Sequence, residues 1–257
     1  MEAAMAVDRK PEVRGGVVGA IGQFAVVIAI VLLTKTVAAE AYYVPSGSML
    51  PSLLIGDQLL VSKFPYGYSR YSLPLPLAPA SHERLLGKLP AYGDVVVFRL
   101  PRDPSQTYVK RVVGLPGDHV QMREGRLFIN GKELALRAAG VGPMELDDRT
   151  VTAPRYIETM PNGYQHPIFK MGWSGELDNT KDFAVGPDQI FVMGDNRDDS
   201  ADSRLSPMAG GVGFVPVENL VGRVDAIIGS WDPAVRHDPL WTWPSGLRLS
   251  RFFSRVN

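Results

Sequence analysis

The 257-residue chain contains no cysteine. Disulfides, thiolate metal sites and a cysteine nucleophile are therefore all excluded. It carries no net charge, with 27 basic and 27 acidic side chains. Nothing marks it as a nucleic-acid binder held by phosphate contacts. There is no G-x-S-x-G elbow and no S-x-x-K sequence, two common settings for an activated serine. Histidine occurs four times, as His82, His119, His166 and His237. None lies in a motif of a catalytic histidine, and each reads as a surface or turn residue. No internal repeat or long low-complexity stretch is evident. Glycine and proline, in contrast, are plentiful at 26 and 21. With many Val, Ile and Tyr residues they predict short strands joined by turns.

Residues 17–33 are apolar except for Gln23 and small residues, and 34–39 extend the stretch past Lys35. About 20 helical residues cross a ~30 Å hydrocarbon core, and Lys35 can snorkel to its edge. Residues 15–39 are thus expected as a transmembrane helix. Arg9, Lys10 and Arg14 precede the span, so residues 1–14 are expected in the cytoplasm and the rest outside. Two rival readings remain open. One is a cleaved secretory signal, for Ala39-Glu40-Ala41 has the look of a cleavage site, although the run exceeds the 7–15 residues of a signal core. The other is a buried core helix.

Ser48 follows directly, in Tyr42-Tyr43-Val44-Pro45-Ser46-Gly47-Ser48-Met49-Leu50-Pro51. The two prolines stiffen the backbone on both sides and Gly47 permits an unusual bend. An ordinary Pro/Ser/Gly loop has the same composition. Further on, residues 108–113 read as a strand and Gly114-Leu115-Pro116-Gly117-Asp118 as a turn. Lys110 and Arg111 would then face opposite sides, so that one can be buried while the other stays wet. A solvated edge-strand lysine is the plain alternative. A strand Phe191-Val192-Met193 leads into a polar turn with four aspartates. A calcium loop beginning at Asp198 would have Ser203 at position six and Ala209 at twelve, where EF-hands place Gly and Glu. No metal is expected.

These three segments resemble the boxes of bacterial type I signal peptidases, in family order. Pro-Ser-Gly-Ser-Met-x-Pro-Ser-Leu-x-x-Gly-Asp over residues 45–57 resembles the nucleophile box. Lys-Arg-x-x-Gly-Leu-Pro-Gly-Asp over residues 110–118 resembles the lysine box. Gly-Asp-Asn-x-x-x-Ser-x-Asp-Ser-Arg over residues 194–204 resembles the third. The resemblance implies a serine endopeptidase that removes signal peptides through an acyl-enzyme, without metal or cofactor. Ser48 would be the nucleophile and Lys110 the general base. Ser46 and the Ser48 N–H would form the oxyanion hole, and Ser200 would hydrogen-bond and orient the lysine amine. Asp202 and Arg204 would pair to hold their loop. Tyr42, Val44, Met49, Leu53, Tyr108 and Val109 would surround shallow pockets for the small residues of an A-x-A site. To act near neutral pH Lys110 must lose about three units from ~10.4, a shift that burial alone can supply.

The fold expected is mainly β: an antiparallel-sheet catalytic domain (40–132 and 186–232), a smaller inserted β domain (133–185) and one N-terminal transmembrane helix. Residues 233–257 are a tail whose aromatics and arginines suit either a membrane interface or simple docking. Pro161-Asn162-Gly163 predicts a hairpin, and so does Asn130-Gly131. Residues 64–68 and 73–77 are too broken by proline for core strands. The partners implied are exported preproteins and the lipid bilayer of the inner (plasma) membrane, with the chain a monomer and its catalytic part on the outer, periplasmic side. At ~3.3–3.6 Å per residue, Ser48 lies within ~30 Å of the span's end at Ala39.

Overall fold

The structure, a computed structural model, describes residues 16–72, 84–146 and 149–256. The expected tail 1–14 and the proline-broken run 73–77, like His82, lie outside the described residues. The chain is mainly β and antiparallel. A helix, α1 (Gly16–Val37), leads directly into the first strand. Its side chains are described at residues 19–28 and 31, and all of these are exposed, Phe24 and Ile21 among them. Among the described residues no helix is long and apolar enough to cross a membrane.

The strands are β1 (Ala39–Tyr43), β2 (Asp57–Ser62), β3 (Val95–Leu100), β4 (Asp103–Gly114), β5 (His119–Arg123), β6 (Arg126–Ile129) and β7 (Lys132–Glu133). Then come β8 (Ala135–Leu146), β9 (Arg149–Thr159), β10 (Gln165–Phe169), β11 (Phe183–Ala184), β12 (Gln189–Met193), β13 (Val215–Pro216), β14 (Leu220–Ser230) and β15 (Ser254–Arg255). The main sheet runs β1-β2-β14-β3-β4-β12-β13, with β15 added to β14. Its central strand β3 is apolar at every position but Arg99, because both faces are covered. Val95 and Val97 join a core with Met49, Leu53 and Leu59. Val96, Phe98 and Leu100 join another with Val112, Ile190 and Val192. Alternation along a strand makes this division.

Two smaller sheets, β11-β5-β6-β7 and β10-β9-β8, carry the middle of the chain. The strands leave the main sheet after Gly114, earlier than residue 133, since β5 pairs with β6 and with β11. The Leu115–Asp118 turn, closed by the Asp118 N–H on the Leu115 carbonyl, makes that departure. Both expected hairpins form. Asn130 and Gly131 take positive φ of 52° and 75° between β6 and β7, as a tight turn of that kind requires. Phe64–Tyr66 is a short 3-10 turn with Tyr66 buried. Residues 233–251 form three 3-10 turns before β15 closes on β14. They dock through Arg251 on the Asp57 carboxylate and Trp231 against Trp243. Leu240, Trp241, Leu249 and Phe253 stay exposed.

Candidate active site

Three segments far apart in sequence meet at one cleft. Ser48 sits in a 3-10 turn, Gly47–Met49, after β1. Lys110 projects from β4, and its Nζ donates to the Ser48 Oγ at 2.6 Å. The loop after β12 grips the Ser48 turn from behind. Asn196 donates its N–H to the Ser48 carbonyl and its side-chain amide to the Gly47 carbonyl, both at 3.2 Å. Gly194 is tightly confined, because a Cβ there would meet the Ser48 carbonyl oxygen and the Ser200 hydroxyl.

Lys110 is only 3% exposed. Burial lowers its amine from the usual lysine value to about 8, against the upward pull of Asp202, Asp195 and Asp199, with Arg204 adding to the lowering. Asp202 is occupied elsewhere: it takes two bonds from the Arg204 guanidinium at 2.9 and 2.8 Å and one from the Gly194 N–H. Arg204 also donates to the Arg197 carbonyl. The pair therefore braces the loop.

Arg111 departs from the expectation that one of two neighbouring basic residues stays wet, since both are buried. It can be, because Asp195 receives its guanidinium in a fork of 2.8 and 2.7 Å. Charge-assisted forks of this kind replace the water both ions lose. His166 is likewise no surface residue. Its ring lies within 3.4 Å of Asp195 and 3.3 Å of Glu158, and Glu158 is bound to Arg197. The nearby cations hold both carboxyls below the usual carboxylate range, in spite of burial. A buried cluster of Arg111, Asp195, Glu158 and Arg197 around the His166 ring thus ties β9 and β10 to the loop that holds Ser48. Sequence spacing hid it, because Arg111, Glu158, His166 and Asp195 meet only in three dimensions.

The cleft has a volume of about 620 Å³ and is lined by Tyr42, Tyr108, Val109, Leu59 and Val97 around Ser46, Ser48 and Lys110. Ser46 is exposed and its hydroxyl oxygen lies 3.4 Å from that of Ser48. Three expected pocket residues are not on the lining. Val44, Met49 and Leu53 are buried in the core beneath the Ser48 turn, where the packing of the main sheet needs their bulk. Nor does Ser200 meet the lysine: its buried hydroxyl has no hydrogen-bond partner among the described residues. The Lys110 amine is turned to Ser48 instead. Leu59, Val97, Thr107 and Asp199 were not legible as lining, since only strand pairing brings them there. Asn196 and Gly194 stood inside a recognised motif, which was their one signal.

A sequence model of the family described as Signal peptidase, peptidase S26 matches residues 17–231. The chain is similar to Signal peptidase I of Rickettsia conorii and to that of Rickettsia rickettsii. Each is 35% identical over 251 residues, covering 91% of both chains. Among solved structures it is similar to a signal peptidase I from Enterococcus faecalis at 27% identity. That match covers 53% of this chain and 97% of the other, and its TM-score of 0.31 is too low to support an argument.

Proposed function

The chain belongs to the signal peptidase family, peptidase S26, and from that premise we propose that it cuts N-terminal signal peptides from exported preproteins after A-x-A, using Ser48 and Lys110. Members of the family are serine endopeptidases, and so is this chain. The observation that carries the residue assignment is the 2.6 Å contact between Lys110 Nζ and Ser48 Oγ, made by an amine held at about 8.

The chemistry follows from that contact. Neutral Lys110 takes the Ser48 proton as Oγ attacks the scissile carbonyl. The developing oxyanion is met by the Ser48 N–H and by the Ser46 hydroxyl, donors set on a proline-stiffened turn. The C–N bond breaks, the leaving amine takes the proton from Lys110, and Ser48 holds the acyl group as an ester. Water, deprotonated by the same amine, hydrolyses that ester and restores Ser48. An arginine could not do this, because its pKa stays above ~12. Walls of Tyr42, Leu59, Val97 and Tyr108 leave room for methyl-sized side chains, which favours alanine beside the cut.

The anchor is part of the same proposal. What supports it is the sequence: the apolar run over residues 17–39 exceeds the ~20 residues that a ~30 Å hydrocarbon core needs, although among the described residues no helix meets the length and apolarity of a span. Apolar residues exposed along a helix call for a nonaqueous partner. A single span with the N-terminus cytoplasmic holds the cleft at the outer face of the plasma membrane, where the junction of signal and mature sequence emerges. The monomer suffices, since Ser48 and Lys110 come from one chain. The test is cleavage of a preprotein with an A-x-A junction by the detergent-purified chain, beside Ser48→Ala and Lys110→Ala. Cleavage at that junction by the parent alone is expected. A folded parent that leaves the preprotein whole would sink the assignment.

A further inference from the structure

The loop between Gly194 and Arg204 carries four aspartates, and the fold pairs three of them. Asp195 holds Arg111. Asp202 holds Arg204. Asp198 takes Lys170, with the Met171 N–H at 2.5 Å and the Gly172 N–H at 3.3 Å. Asp199 differs. Among the described residues its carboxylate makes no hydrogen bond and no ion pair, it is exposed, and it lines the cleft beside Lys110 and Ala201. The rest of the lining is tyrosines, hydroxyls, an amide and apolar side chains. The cleft therefore carries one acidic charge next to its base. That charge favours the protonated lysine, which opposes catalysis, so its use is to be sought in what the cleft binds.

We propose that Asp199 is a specificity-determining residue that makes the cleft prefer a cationic side chain, and reject an acidic one, at a substrate position flanking the scissile bond. The inference rests on the Ser48–Lys110 reading of the site and adds to it a charge preference. A lysine or arginine of the substrate placed there would gain a partner without the cost of breaking an existing ion pair, because Asp199 has none. A substrate Asp or Glu would meet a like charge in a cleft whose apolar walls limit screening. The same cation would offset the pull of Asp199 on Lys110, coupling recognition to the base.

The test uses the full chain in detergent with fluorogenic peptides spanning an A-x-A junction. Lys, Gln and Glu are walked through the three positions on either side of the cut, leaving the two alanines in place. At one or more positions the parent is expected to favour Lys over Glu in kcat/KM by about three- to tenfold at low salt, a ratio that shrinks as salt is raised. Asp199→Asn should bring that ratio to near one and move the acid limb of the pH profile to lower pH. Asp199→Glu should restore both. A parent ratio near one at every position overturns the inference, as does a ratio that survives Asp199→Asn. A parent that cleaves none of the peptides overturns the site reading, and the charge preference with it.

Discussion

Lys110 and Arg111 are adjacent on β4, both are cationic, and both are buried. Their surroundings make them chemical opposites. Strand alternation sends them to opposite sides of the sheet. On one side Lys110 meets a neutral hydroxyl and, among the described residues, no carboxylate within bonding distance, so burial prevails and the amine falls to about 8. On the other side Asp195 forks onto Arg111, and the pairing outweighs burial, so the guanidinium is held above its usual value. A base is made by withholding a counter-ion, and a strut is made by supplying one. Of the three aspartates that pull Lys110 upward, Asp195 and Asp202 are paired with Arg111 and Arg204, so the struts limit a pull that burial then outweighs.

The comparison can be broken first at the base itself. Lys110→Arg keeps a cation but removes any neutral form, and should cost about 10²- to 10⁴-fold in kcat/KM, with no recovery on raising the pH. The parent rate should instead rise with pH up to about 8, as the amine loses its proton. Parallel pH–rate profiles check both, and a parent rate flat from pH 6 to 9 would contradict the assigned base. The second break is Arg111→Met. Leaving Asp195 buried without its cation should cost about 3–5 kcal/mol of stability, read by denaturant titration. A loss below 1 kcal/mol would show that His166 alone can satisfy that carboxylate.

The smallest effect has the opposite sign. Lys110 has a folded value of about 8 against an unfolded value near 10.5. The unfolded chain therefore binds more protons between these pH values, and stability rises with pH across that window. Below pH 8 the full penalty is present, about 3 kcal/mol for a shift of this size. Lys110→Met removes it, and should stabilise the chain by about 1–3 kcal/mol at pH 7 while abolishing turnover. The gain should fade as the pH rises from about 8 and be gone above about 10.5. The same substitution one residue apart would then stabilise at 110 and destabilise at 111, and equal effects at both positions would refute the contrast.

Much of the site could be read from local patterns because each box is a contiguous run. Pro45 to Pro51 makes its own bend, and 108–113 alternates as a strand. The hairpins at Asn130-Gly131 and Pro161-Asn162-Gly163 are encoded in their turn residues. Val44, Met49 and Leu53 show where that reading stops. Their apolar character is visible, but whether an apolar residue lines a cleft or a core depends on which strands lie above it, and β2, β3 and β14 cover these three. His166 fails for the same reason, since nothing near it in sequence shows that Glu158 and Asp195 close around its ring. The departure of β5 from the main sheet could not be read either, because β11, its partner, lies more than sixty residues away.

By itself, then, the sequence determined the chemistry available: a serine in a stiff turn, a lysine and an arginine on alternating sides of one strand, an aspartate-rich loop, and no thiol to compete with them. Only the tertiary structure decided which charges are paired and which are not. Pairing depends on distances of a few ångströms between residues tens of positions apart, and the free energy of a buried ion changes by several kcal/mol with that single choice. That choice separates the amine of Lys110, left with a hydroxyl, from the guanidinium of Arg111, held by a carboxylate.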